Sequence, residues 1–232
     1  MPIYKSVNKD FFKKWTSEMA YVLGFFAADG YITVNKRGGQ FWCIQITDKK
    51  LLEQIRAIIQ AEHIISERKR DGTSILYRLQ IGSIEMCNDL RRLGFTQKKT
   101  KNLAIPLVPR KYFFDFVRGY FDGDGNVWSG LIHKDRKAPS LTLQVMFTSC
   151  SLEFLRHLHK VIGSFGVEGG SMYVSKGNYS RLQFSARGAL KLYDLMYNQR
   201  GPSKGSMLFL ERKKKVFEKY GALMNCGRSS TG

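Results

Sequence analysis

Two nine-residue segments of this chain share one pattern. Residues 22–30 read VLGFFAADG and residues 117–125 read VRGYFDGDG, both of the form V-x-G-[FY]-F-x-[AG]-D-G. Asp29 and Asp124 stand 95 residues apart. Further matches follow in the same order. Ile44-Gln45-Ile46-Thr47 answers Val145-Met146-Phe147-Thr148 at an offset of 101, Arg78-Leu79-Gln80 answers Arg181-Leu182-Gln183 at 103, and Asp89-Leu90 answers Asp194-Leu195 at 105. The offset only grows, as it does when a duplicated unit acquires short loop insertions. A chain of 232 residues is thereby committed to two copies of one substructure.

Each copy has the same layout. A helix leads into the motif; in the first copy Thr16 or Ser17 can cap it, and Met19, Val22 and Phe26 recur at helical spacing. In the second, Pro109 precedes it. Two strands follow, over 31–36 and 40–47 in one copy and 126–134 and 140–149 in the other. An amphipathic helix comes next, with Leu51, Leu52, Ile55, Ile58 and Ile59 answered by Leu152, Leu155, Leu158 and Val161. Two more strands (64–70 with 75–81, and 171–176 with 179–185) and a closing helix (84–93, and 188–197) complete the unit. The expected fold is α+β: duplicated αββαββα units with a pseudo-two-fold relation, each with a curved antiparallel β-sheet forming a saddle. The first repeat spans 1–99, a proline-bearing linker 100–110, the second repeat 111–220, and a small, polar, flexible tail 221–232.

The motif has a physical logic. Gly24 with Ala28, and Gly119 with Gly123, are small residues four apart, so each motif helix has a smooth face on which the other can pack closely. Such packing brings Asp29 and Asp124 together at two helix C-termini, with Gly30 and Gly125 suited to a left-handed C-cap. Two carboxylates at negative helix ends repel each other. A divalent cation turns that repulsion into binding, and Mg²⁺ takes hard oxygen ligands with water and phosphate. Asp-Gly is also an ordinary turn signal, but two such turns in register with a whole repeat point to more than a turn.

Charge names the partner. The chain carries 38 Lys+Arg against 19 Asp+Glu, a net of +19. Residues 1–110 hold 19 basic and 10 acidic residues and residues 111–232 hold 19 and 9, so both halves are equally basic. An evenly basic domain points to phosphate neutralisation on nucleic acid. With 43% hydrophobic and 13% aromatic residues the chain can bury a core, which excludes a disordered polyelectrolyte. It has no apolar run of membrane-spanning length, and its N-terminus lacks the apolar core of a secretory signal. Cys43, Cys87, Cys150 and Cys226 are scattered without a CxxC pair, which speaks against a disulfide framework or zinc site and favours an intracellular protein. Mitochondrion and chloroplast stay open as compartments. His157 and His159 lie on different faces of a helix and read as structural.

VLGFFAADG and VRGYFDGDG, with the duplication around them, resemble the LAGLIDADG homing endonucleases over roughly residues 15–220. Two motifs in one chain look like the monomeric, pseudo-symmetric branch. The resemblance implies a site-specific double-strand DNA endonuclease that uses Mg²⁺ or another divalent cation. It further implies a long pseudo-palindromic site, a staggered cut in the minor groove and a role in intron mobility. It makes Asp29 and Asp124 the catalytic acids and metal ligands, helped by the carbonyls of Ala28 and Gly123. Ala27 departs from the pattern, where the family often has an acid; Asp122 keeps it in the second copy. Family sites also use a lysine near the scissile phosphates. Lys98 and Lys99 are the first-copy candidates, the choice between them open, and the offset of 105 carries Lys99 to Lys204. Asp48 and Ser149 are candidate water-positioning residues. The alternatives are an RNA maturase acting on cognate intron RNA, a non-catalytic DNA-binding protein of the same fold and a metal-dependent RNA nuclease. An intein endonuclease is disfavoured by the lack of room for splicing segments.

Alternation along the strands sends one residue set to the helices and the other to solvent. The candidate DNA contacts in the first copy are Lys36, Arg37, Gln40, Gln45, Arg68, Lys69, Arg70, Arg78 and Gln80. In the second they are Lys134, Arg136, Lys137, Gln144, Lys176, Asn178, Arg181 and Gln183. Arg reads guanine and Gln reads adenine in the major groove, and the hairpin tips meet phosphates. The Lys213-Lys214-Lys215 run, on a C-terminal amphipathic helix with Leu208, Val216 and Tyr220, reads as a solvated or phosphate-facing surface.

Overall fold

The structure is a computed structural model that describes residues 5–69, 74–97, 102–137, 139–175, 177–198 and 208–229. The chain forms two compact units, Met1–Gly123 with Gly201–Leu208 and Asp124–Arg200 with Phe209–Gly232. The boundary falls inside the second motif, whereas the repeat boundary read from sequence falls at residues 100–110. A repeat records which segments correspond; a compact unit records which side chains share a core.

In the first unit, α1 (Ser17–Asp29) begins at Thr16, whose Oγ1 accepts the Met19 N–H at 3.0 Å. Replacing this cap, Thr16→Ala, is expected to cost about 1 kcal/mol in a urea-unfolding measurement. Every residue from Met19 to Ala27 is buried, so α1 has no solvent face. It runs into a sheet of β1 (Gly30–Val34), β2 (Gln40–Ile46), β3 (Ile65–Lys69) and β4 (Ile75–Gly82), antiparallel in the order β1-β2-β4-β3. The helices α2 (Lys49–Ile58) and α3 (Ile84–Arg92) cover one face, capped by Asp48 and Ser83. Trp42, Ile44, Leu79 and Ile81 meet Leu51, Leu52, Ile55, Met86 and Leu90 in the core, and the Phe12 and Phe26 rings sit edge-on to Trp42.

The second motif helix, α4 (Phe113–Asp124), contributes its length to Gly123 to this same unit. It lies on α1 backbone to backbone. A Cβ on Gly24 would stand 2.0 Å from the Phe116 carbonyl oxygen, and one on Gly119 would stand 2.0 Å from that of Tyr21. The smooth faces read from sequence therefore do meet. Hydrogen bonds link side chains at this contact: the Tyr21 hydroxyl donates to Asp122 Oδ2 at 2.7 Å, and Arg118 bridges Asp115 (2.7 Å) and the Leu208 carbonyl (2.9 Å). Burial pushes the Asp115 carboxyl up, and Arg118 draws it back down.

In the second unit, β5 (Gly125–Ile132), β6 (Ser140–Ser149), β7 (Ser171–Val174) and β8 (Ser180–Ser185) pair antiparallel in the order β5-β6-β8-β7. The helices α5 (Leu152–Gly163), capped by Ser151, and α6 (Ala186–Tyr193), continued by a π-helical turn, cover one face, and α7 (Glu211–Ser229) lies along β5. The α+β duplication expected from sequence is the observed architecture.

Two local expectations are corrected. Gly30 does not adopt a left-handed cap: its φ of −86° and ψ of 159° are extended, and Gly125 is likewise outside the left-handed region. Gly30 is needed for space, because a Cβ there would meet the Phe26 ring at 2.1 Å. The chain is also helical beyond Gly221, since α7 continues to Ser229 through the strong helix formers Ala222, Leu223 and Met224. Among the described residues no helix is long and apolar enough to cross a membrane.

Candidate nucleic-acid interface and catalytic acids

The strand registers sort the candidate contacts by face. In the first sheet, Ile44 pairs with Leu79 and Trp42 with Ile81 on the helix-covered side. The opposite, helix-free side carries Tyr31 across from Cys43, Cys43 across from Gln80, Gln45 across from Arg78, and Arg78 across from Ser66, with Arg68 across from Leu76. Gln45, Arg68, Arg78 and Gln80 thus share one face, and Lys36 and Arg37 are exposed in the β1–β2 turn. Gln40 and Lys69 leave the set. Gln40 pairs with Val34 and Lys69 with Ile75, on the parity of the core residues, and one step along a strand reverses the face.

The second sheet repeats this arrangement. Gln144, Arg181 and Gln183 occupy its helix-free face, with Asn126, Trp128, Met146, Thr148 and Tyr173. Lys134, Arg136 and Lys137 are exposed in the β5–β6 turn and Asn178 in the β7–β8 turn. Arg70, Lys98, Lys99, Lys176 and Lys204 lie outside the described residues. The aromatic members of both faces, Tyr31, Phe41, Trp128 and Tyr173, were not singled out from sequence. Parity would have found them once a register was fixed.

Tyr31, Cys43 and Arg78 form a cluster on the first face. The Tyr31 hydroxyl is in polar contact with the Cys43 thiol and the Arg78 guanidinium. Burial raises the Tyr31 hydroxyl above its usual pKa, the Cys43 thiol adds to this, and Arg78 opposes it. Burial likewise pushes the Cys43 thiol up, while Tyr31 and Arg78 pull it down. Both groups therefore stay protonated near neutrality.

The motif acids end their helices. Asp29, the last residue of α1, is half-buried. Beside it, a Cβ on Gly123 would meet Ala28 Cβ at 2.3 Å and Asp29 Oδ2 at 3.0 Å, so glycine at 123 leaves the flank of this carboxylate open. Asp124 is exposed at the end of α4 and opens the second unit. The next carbonyl, that of Gly125, accepts a hydrogen bond from Lys213 Nζ at 2.6 Å. Lys213 is only 4% exposed. The Lys213-Lys214-Lys215 run is thus not one surface. Successive residues of α7 point about 100° apart, so Lys213 turns inward, Lys214 lies half-buried over the Phe209 ring, and Lys215 is exposed.

Asp48 and Ser149 have structural roles. The Asp48 carboxylate accepts the Leu51 N–H at 2.9 Å and Ser149 Oγ accepts the Ser151 N–H at 3.1 Å, each at the start of a helix. His159 Nε2 donates to the Gly169 carbonyl at 2.7 Å, which accounts for that ring. Among the described residues no group of three or more His, Cys, Asp or Glu could hold a metal. The donors at the motif ends are Asp29, Asp124 and main-chain oxygens, since Asp122 is buried and accepts from the Tyr21 hydroxyl. This sparse set of hard oxygens fits Mg²⁺, which keeps several waters and shares substrate phosphates.

Comparison with known proteins agrees with this arrangement. Residues 16–94, which include the first motif, match the family described as "LAGLIDADG-like domain". A 101-residue stretch is 33% identical to the probable translation initiation factor IF-2 of Thermococcus kodakarensis; it takes in 42% of this chain and 8% of that much longer protein. Three solved structures share the fold. The LAGLIDADG meganuclease I-AabMI bound to uncleaved DNA is 15% identical, with a TM-score of 0.60 over 91% of both chains. The I-SmaMI LAGLIDADG homing endonuclease bound to cleaved DNA is 13% identical, with a TM-score of 0.61 over 94% of this chain and 91% of that one. The I-LtrWI LAGLIDADG homing endonuclease bound to target DNA is 15% identical, with a TM-score of 0.59 over 96% and 92%. Residues 16–94 are therefore similar to a LAGLIDADG-like domain, and over nearly its whole length the chain shares the fold of the LAGLIDADG meganucleases.

Proposed function

We propose that this protein is a site-specific double-strand DNA endonuclease that depends on a divalent cation such as Mg²⁺ and acts as a monomer. The observation that carries the reading is the sorting of Gln45, Arg68, Arg78 and Gln80, and of Gln144, Arg181 and Gln183, onto two helix-free sheet faces. Each face would lie in a major groove, where Arg pairs with guanine and Gln with adenine. The basic turns at Lys36 and Arg37 and at Lys134, Arg136 and Lys137 would meet phosphates and set the register.

Asp29 and Asp124 would hold the cations, one acid for each strand, with the Ala28 and Gly123 carbonyls as further oxygen donors. A cation bound there supplies Lewis-acid stabilisation and a more acidic water. Lys213 holds the Gly125 carbonyl, one residue beyond Asp124, and so would fix the backbone beside that acid. Lys213→Met is expected to slow single-turnover cleavage about a hundredfold without changing duplex affinity. An equal loss of affinity would remove Lys213 from this role.

The function is tested by incubating the protein with a randomised duplex library and Mg²⁺ and sequencing the cut products. A small set of long, related sites cut in both strands is expected. Bound but uncut duplexes would reduce the reading to DNA binding, and preferential capture of single-stranded RNA would overturn it. Affinity for a recovered site should fall with salt at a log–log slope of about −7, for about 8 neutralised phosphates. A slope near −2 would show that most of the charge never touches DNA.

A further inference from the structure

Arg78 and Arg181 occupy the same place in the repeat, in Arg-Leu-Gln at an offset of 103. Each lies on its sheet's helix-free face, across from the central-strand residue one step beyond the pair that includes the glycine ending the motif. Their surroundings differ. Arg78 meets the Tyr31 hydroxyl, which is two strands away. The two side chains approach each other across β2, beside Cys43, which pairs with Tyr31. This explains why Cys43 is completely buried although it stands on the helix-free face. Among the described residues the second sheet has no counterpart to this bridge. The registers pair Gly30 with Ile44 and Gly125 with Phe147, so the second strands correspond at an offset of 103 and not the 101 matched from sequence; Asn126 stands in place of Tyr31 and Met146 in place of Cys43, and Met146 is only half-buried. The Arg181 guanidinium lies instead over the ring of Tyr179, 5.2 Å from its centre, two residues back in the β7–β8 turn just before β8.

We infer that Tyr31 and Tyr179 are positioning residues that aim two equivalent arginines in opposite directions, so that the guanines they read lie at unequal distances from the centre of the target. Tyr31 draws Arg78 away from the motif end of its sheet, and Tyr179 draws Arg181 toward the motif end of its own. Each tyrosine is about two residues, or ~7 Å, along the strand from its arginine. The two opposite displacements add up to ~14 Å at most, so the two guanines should be out of symmetry by up to about four base pairs, at ~3.4 Å per base pair. A tyrosine that holds the guanidinium also removes rotamer freedom before binding, which sharpens the bidentate contact to guanine.

This inference rests on the duplex-DNA reading above. The test is a base-by-base affinity profile of a site recovered from the randomised library, measured without divalent cation on the full chain. The expected profile has one strong guanine in each half, out of symmetry. Tyr31→Phe should reduce guanine preference about tenfold at one of these positions and leave the other half and the salt slope unchanged. Tyr179→Leu should do the reverse. Arg78→Gln and Arg181→Gln identify the two positions independently. A profile symmetric about its centre overturns the inference, as does an Arg78-dependent guanine untouched by Tyr31→Phe. If neither arginine substitution alters any base preference, sheet-face base reading fails and the inference falls with it. The tyrosine substitutions are partly exposed changes on the sheet surface, and an unchanged unfolding midpoint confirms that the fold is kept.

Discussion

Asp29→Asn and Asp124→Asn are each expected to abolish double-strand cleavage while leaving duplex binding intact. Asn keeps the shape of the side chain but removes the anionic oxygen that a hard cation requires. The loss should be at least about a thousandfold, roughly 4 kcal/mol of transition-state stabilisation. Conversion of a plasmid carrying a recovered site to linear form measures it. Persistence of the linear product at an undiminished rate would show that these acids are not catalytic. Stability provides a second readout. A carboxylate at a helix C-terminus opposes the helix dipole, so either substitution should hold or raise the unfolding midpoint. A lost activity with a preserved fold assigns the acids to chemistry.

Gly24→Leu and Gly119→Leu are expected to destabilise the first unit by more than about 4 kcal/mol, enough to leave little folded protein. The Cβ alone would penetrate a carbonyl oxygen on the facing helix in either case, and backbone cannot rotate away as a side chain can. Gly163→Ala is the control. A Cβ there meets nothing within 4 Å, and Ala favours the helix, so its stability should hold or rise by up to about 1 kcal/mol. Urea unfolding of the three variants separates the cases. Wild-type stability in Gly24→Leu would mean that α1 and α4 do not pack as described.

Much of the fold was legible because the repeat supplied two readings of each element. Both sheets, all four central strands and the two motif helices followed from alternation and helical spacing. The motif contact was legible because Gly and Ala at i and i+4 leave a helix without side chains on one face. What was missed depended on relations that lie outside any window of sequence. Gly30 looked like a cap, but the Phe26 ring needs its space. Gln40 and Lys69 looked like face residues until the partner strand fixed their parity. Lys213 sat in a run of three lysines, and only the position of β5 decides which of them turns inward. The bridge of Tyr31 and Arg78 joins residues 47 positions apart across a strand that separates them.

The burial of α1 on every side bears on how such a chain could have arisen. A single repeat, folded alone, would present the Gly24 face to water with no α4 to cover it. The unit that was duplicated would therefore have been stable only as an associated pair, at concentrations high enough to populate it. Joining two copies replaced that concentration with a tether, which keeps the covering helix near at any dilution. Tethered copies need not be identical, and Asn126 at the repeat position that Tyr31 holds in the first copy shows how far the two differ.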